Sequence, residues 1–291
     1  MILAGLAVVV SGCDATGGSE AEPPGSTAGP SSSPTLAVTP TPAPDLGAIR
    51  RVDLGDQTWV EVQRGEKVTL KNGVLKAKGL SWTTPKKLQV YADANDDGYL
   101  DVLAPLQRVD GNGYEVGYYV WLWNPVTSGA EQVKDVVALT VRCGDEVTKT
   151  RAASGGGFEI REKRRLASDT TSCVDGGSVR ITRTVAVEDQ LLVQTKPLRG
   201  YGGVCTESAF DGIIQPAAGK VTIRLAPKDK APLAIKSNQI ELLLDNAEAN
   251  YDRWPENWVQ VTFRAKGVKK SVQPLPCGFA YVKPEPFRED G

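Results

Sequence analysis

The segment SVRITRTVAVEDQLLVQTK, residues 178 to 196, sets Val179, Ile181, Val185 and Val187 at alternate positions and turns at Glu188-Asp189 into the run Leu191 to Gln194. Side chains two apart share one face of a strand, so this spacing buries one side of a β-hairpin and leaves no helical stripe. The pattern recurs along most of the chain. EKVTLKNGVLKAKG places Asn72-Gly73 between two alternating runs, and both residues accept the positive φ of a tight hairpin turn. Further strands are expected at Leu88 to Ala92, Leu100 to Leu106, Glu115 to Trp123, Val136 to Val141, Lys220 to Leu225 and Trp258 to Phe263. DGNG from Asp110 and SGGG from Ser154 supply turns between them. Only NQIELLLDNAEANY, from Asn238, reads equally as a buried strand or a short helix. The expected fold class is mainly β, over residues 48–287, as one domain or as two β subdomains divided near 154–169.

Composition removes several kinds of chemistry. The chain has no histidine, so Ser-His-Asp and Cys-His arrangements are unavailable to it. Its 34 basic and 35 acidic residues balance, which leaves no electrostatic footprint for nucleic acid. The short basic runs REKRR, Arg161 to Arg165, and KGVKK, Lys266 to Lys270, read as solvated strand edges. The glycine clusters lack the spacing of a phosphate-binding loop. Paired carboxylates remain for glycan hydrolysis, with Asp252 and Glu256 in NYDRWPENW as candidates that nothing distinguishes from surface charge.

The chain opens MILAGLAVVVSGCDATGG. The apolar run from Ile2 to Val10 is shorter than the roughly 20 residues that span a bilayer, and it reads as the core of a secretory signal peptide. Val10-Ser11-Gly12-Cys13 resembles the lipobox of bacterial lipoproteins, although only the terminal amine supplies positive charge ahead of it. The resemblance implies cleavage after residue 12 and a diacylglyceryl thioether on Cys13, and two acyl chains are a sufficient membrane tether. Residues 13–47 are then a spacer. From Asp14 to Gly47 small residues and proline dominate, so the segment buries too little to offset its ordering entropy and is expected to be a disordered linker reaching roughly 30 Å. A lipobox followed by such a spacer resembles secreted lipoproteins of high-GC Gram-positive bacteria. That implies a place on the outer face of the cytoplasmic membrane, extending into the cell wall.

Four further cysteines remain, Cys143, Cys173, Cys205 and Cys277, with no C-x-x-C pair. In an oxidising exterior an even count in a β-rich domain points to two disulfides. Of the three pairings, Cys173 with Cys205 and Cys143 with Cys277 is preferred, because a hairpin is expected between residues 173 and 205.

DANDDGYLD, residues 93 to 101, crowds four aspartates between two strand-like runs. An Asx turn needs only one Asp or Asn and a glycine, and crowded carboxylates repel unless a cation relieves them. Asp93, Asn95, Asp97 and Asp101, with the carbonyl of Tyr99 and the turn at Gly98, offer the hard oxygens that calcium takes. Position 12 of the loop is Ala104 and the flanks are strands, so this is not an EF-hand. The motif D-x-[DN]-x-D-G-x-x-D resembles the strand-loop-strand calcium site of FG-GAP, or integrin-type, repeats, here present once. The longer frame DLGDQTWVEV, VTLKNGVLK and YADANDDGYLDVLAPL resembles secreted bacterial lipoproteins of uncharacterised function. At ~1 mM calcium and a ~0.1 mM dissociation constant the gain is only about 1.4 kcal/mol, which fits a structural ion rather than a sensor.

YEVGYYVWLWNP places Tyr119, Trp121 and Trp123 on one face of a strand and Tyr118, Val120 and Leu122 on the other. Apolar residues on both faces point to a central strand; the alternative is an exposed aromatic strip on which sugar rings or a partner protein pack. Trp254 and Trp258 have the same two readings. The function expected from these features is a lipid-anchored envelope protein that binds cell-wall glycan or another envelope protein without catalysis. The alternative is a wall enzyme acting on glycan through carboxylates.

Overall fold

The structure, a computed structural model, describes residues 45–62, 64–165, 169–170, 172–173, 175–205, 214–216, 221–245, 254–255, 257–269 and 275–281. The signal segment, Cys13, most of the spacer, Asp252 and Glu256 lie outside the described residues. The fold is mainly β, with every sheet antiparallel and, among the described residues, short 3-10 turns as the only helical structure.

Strands β1 (Thr58–Glu61) and β2 (Glu66–Thr69) form a two-stranded ribbon. The next sheet contains β3 (Val74–Ala77), β4 (Leu80–Thr83), β5 (Val90–Ala92), β6 (Asp101–Asp110), β7 (Gly113–Asn124) and β8 (Gly129–Val141). Its order is β3-β4-β6-β7-β8, with β5 pairing β6 beside that path. A third sheet follows, of β9 (Glu146–Ala152), β10 (Phe158–Arg164), β11 (Val179–Glu188), β12 (Leu191–Lys196) and β13 (Gly200–Tyr201), paired in sequence order. The fourth contains β14 (Ile214–Pro216), β15 (Ile223–Arg224), β16 (Leu233–Ile235), β17 (Ile240–Asp245), β18 (Trp258–Ala265) and β19 (Cys277–Tyr281), ordered β14-β17-β18-β19-β15-β16.

The β7 sequence explains why its sheet is central. Tyr118, Val120 and Leu122 pack with Phe158, Ile160, Val185 and Val187 of the third sheet, while Tyr119 and Trp121 pack with Trp59 and Val68 of the ribbon and with Leu70 just after it. A strand apolar on both faces is covered on both. Leu191 and Val193 of β12 share a further core with Ile223, Val259 and Phe263 of the fourth sheet.

Several expectations need correction. Asn72 and Gly73 do take positive φ, 51° and 79°, but only a single bridge, Lys71 to Val74, links the runs on either side. The Asp56 side chain accepts from the Asn72 N–H at 2.7 Å, and Gly73 donates to the Gly55 carbonyl at 2.9 Å, so the turn is held from outside. β2 then pairs with β1, and β3 with β4. Residues 86–88 form a 3-10 turn, which shortens the strand expected from Leu88. The ambiguous segment from Asn238 is a strand over Ile240–Asp245. REKRR is not a solvated edge, because Glu162 and Arg164 point inward while Arg161 is exposed. Ser154 to Gly157 is the β9–β10 turn within one sheet.

Candidate functional site

The acidic loop joins β5 to β6, and these pair in the register Ala92 with Asp101. Asp93 closes it by accepting from Asp96 N–H at 2.8 Å and Gly98 N–H at 2.9 Å. Asp97 accepts from Tyr99 N–H and from the Asn95 side-chain amide, both at 2.9 Å. Asp96 and Gly98 take φ of 60° and 85°, the left-handed values the tight path requires. The loop is also tied to the third sheet: Gly157 N–H donates to the Asp93 carbonyl, and Val187 N–H to the Ala94 carbonyl, each at 2.7 Å. Gly157 has φ 73°, and a Cβ there would meet the Val185 carbonyl at 2.3 Å, so this approach requires glycine.

Asp101 behaves differently from the other three. Its side chain is fully buried, accepting from Ala94 N–H at 2.8 Å and Trp123 N–H at 2.9 Å. Burial pushes its carboxyl up to about 7; the two backbone donors pull it down, and the nearby Asp97 and Asp93 add to the rise.

The loop contains the oxygen chemistry calcium takes. Asn95 Oδ1 is buried without a hydrogen-bond partner, a free acceptor of the right type. The carboxylates of Asp93 and Asp97 are turned onto their own loop, and among the described residues no three His, Cys, Asp or Glu side chains are grouped as a metal site. Donor type fits the ion; the side chains are not gathered around one point.

The aromatic strand is interior. Tyr119 and Trp121 are buried and meet Trp59 edge-on at 5.9 and 5.0 Å, and Trp123 is half-buried against the same core. Trp59 donates its indole N–H to the Leu54 carbonyl at 3.0 Å. Trp254 packs on Phe279 at 4.7 Å and Trp258 on Tyr281 at 5.6 Å, so these two tryptophans also serve packing.

All four domain cysteines are paired, but as Cys143–Cys173 and Cys205–Cys277, which corrects the preferred pairing. The reason lies in sheet order. Lys163 pairs with Glu146 and Arg164 with Val179, so the start of β9, the end of β10 and the start of β11 meet at one end of the sheet. Cys143 and Cys173 lie just outside that end, 4.0 Å apart at Cα. At the other side of the sheet Gly200 on β13 lies against Pro276 and Cys277, which brings Cys205 to Cys277.

One buried constellation is not marked by any sequence motif. Arg183 is 1% exposed and makes a two-point pair with Glu162, at 3.2 and 3.0 Å. It also donates to the carbonyls of Gly202 at 2.7 Å and Val137 at 2.5 Å, joining β8, β10, β11 and the segment after β13. Burial of Glu162 works against ionisation, but Arg183 and Arg164 outweigh it and hold the carboxyl below its ordinary value. The available signal was phase: Arg183 alternates with Ile181 and Val185, and Glu162 with Ile160 and Phe158. Comparison of the chain with protein-family models, curated proteins and solved structures gives no match.

Proposed function

We propose that this chain is a lipid-anchored protein of the cell envelope, whose β domain serves binding or assembly rather than catalysis. The observation that carries the reading is the pairing of Cys143 with Cys173 and of Cys205 with Cys277, which belongs to an oxidising compartment. With four of the five cysteines committed to disulfides, Cys13 is the one thiol left, and it follows Val-Ser-Gly. In this reading Cys13 carries the lipid, the residues up to 47 are the spacer, and the partner is a wall glycan or another envelope protein. One calcium ion at Asp93, Asn95, Asp97, Tyr99 and Asp101 stiffens the β5–β6 connection, supported by the unpartnered Asn95 oxygen.

Fractionation of a Gram-positive host expressing the full chain tests the anchor. The wild type is expected in the membrane fraction and Cys13→Ala in the medium. Retention of the alanine variant in the membrane would overturn the reading.

A further inference from the structure

The second and third sheets are joined at one end of β5, where Asp93 and Ala94 accept from Gly157 and Val187. No ladder joins β5 to β9, and the Lys86–Leu88 turn stands at the open end. A cavity of about 560 Å³ lies there, walled by Leu88, Tyr114, Val116, Tyr118, Val141 and Val147 among others. A second, of about 400 Å³, shares Leu88, Tyr118 and Val147 with it, so the two form one groove. The larger volume alone falls within the roughly 300–1,000 Å³ of small-molecule sites. Leu88, Tyr114 and Val141 are exposed at 45%, 42% and 37%, which gathers large apolar side chains around one opening.

The polar groups narrow the ligand class. In the larger cavity, where Tyr118 and the apolar rim lie, the charged side chains Arg142, Asp145 and Glu146 are already engaged: Arg142 donates to the Asn112 carbonyl at 2.6 Å, Asp145 accepts from Arg165 N–H at 2.9 Å, and Glu146 accepts from Lys163 at 2.8 Å. Lys87 and Lys149 border only the smaller cavity and are exposed to solvent. Tyr118 is 9% exposed and its hydroxyl has no hydrogen-bond partner among the described residues. Burial, with Tyr114 nearby, pushes this phenol up to about 12, so it stays a neutral donor. The hydroxyl lies at the groove surface without a partner among the described residues, so it is free to donate to a ligand oxygen in place of solvent.

We propose that this groove binds a neutral, mainly apolar molecule bearing one hydroxyl or carbonyl oxygen, such as a long-chain alcohol or ester, with that oxygen bonded to Tyr118. The site gives the binding role above a ligand class, but its test needs neither the anchor nor the calcium loop. The full chain carrying Cys13→Ala is titrated without detergent with N-phenyl-1-naphthylamine, a neutral fluorescent probe, then with 1-dodecanol or dodecanoate as competitor. The expected result is saturable fluorescence, displaced by 1-dodecanol at least tenfold more effectively than by dodecanoate. Val141→Trp, at the exposed rim, is expected to abolish probe binding with unchanged melting. Tyr118→Phe is expected to keep the probe and to weaken 1-dodecanol about fivefold, the loss of one neutral hydrogen bond. No saturable signal, or a signal that survives Val141→Trp, overturns the site. Equal competition by dodecanoate, or an unchanged 1-dodecanol affinity in Tyr118→Phe, overturns the ligand class.

Discussion

The backbone N–H of Trp123 donates to the buried carboxylate of Asp101 at 2.9 Å, which fastens the end of the acidic loop to the end of β7. The other oxygen of the same carboxylate holds Ala94. One side chain therefore links the loop, β6 and β7, and its charge state is tied to stability.

In calcium-free buffer that link predicts a pH dependence. The folded value is about 7 against an ordinary 3.8, so the folded state keeps a proton that the unfolded state has released between these limits. Stability is therefore expected to fall as pH rises from about 4 to 7, by on the order of a few kcal/mol at most, and to level off above. Urea denaturation across this range checks it. Asp101→Asn should remove this contribution while lowering stability by about 1–3 kcal/mol, because an amide cannot accept both N–H groups through two oxygens. A slope unchanged in Asp101→Asn would contradict the assignment.

Arg183→Met is expected to destabilise the domain by about 3–5 kcal/mol, the usual cost of removing one partner of a buried ion pair. Glu162 titrates below its ordinary value in the folded state, so its contribution is present above the unfolded value and is lost as pH falls through the folded one. Chemical denaturation of Arg183→Met that shifts stability by less than about 1 kcal/mol would show the pair to be unimportant.

The two disulfides close loops of 30 and 72 residues in sequence separation. Chain-entropy arguments give about 4 kcal/mol for each. Cys143→Ala with Cys173→Ala, and separately Cys205→Ala with Cys277→Ala, should each lower the melting temperature. Non-reducing peptide mapping should recover these pairs and not Cys173 with Cys205.

Calorimetric calcium titration of the full chain is expected to give one site with a dissociation constant of about 0.1–1 mM, absent in Asp97→Ala. Asp97 is exposed, so this variant should keep the wild-type fold. Titration without heat, together with an unchanged melting temperature in millimolar calcium, would remove the ion from the account.

Trp59 is fully buried between Tyr119 and Trp121. Trp59→Ala should cost about 3–5 kcal/mol, measured by denaturation, and should release the ribbon from the central sheet.

Strands whose apolar pattern is complete within themselves were legible in the sequence. β7 carries aromatic and aliphatic residues on both faces, and β11 alternates cleanly, so each declares its burial. What depends on a distant partner was not legible. Asn72-Gly73 makes its turn, but Asp56, Gly55 and the pairing of β1 with β2 decide where the flanking strands go. Disulfide pairing followed from which strand ends meet, a property of sheet order rather than of cysteine spacing. In the acidic loop the residue types marked a crowded turn, yet the separate role of Asp101 showed only in its alternation with the buried Leu103. Charged residues in an apolar phase, Asp101, Glu162 and Arg183, are the class most readily mistaken for surface.

The central claim is the lipid on Cys13. Mass spectrometry of the N-terminal peptide from protein extracted from membranes tests it most directly. The account predicts a peptide that begins at Cys13 and carries a thioether-linked diacylglycerol. An unmodified Cys13 within a longer N-terminal peptide would contradict it.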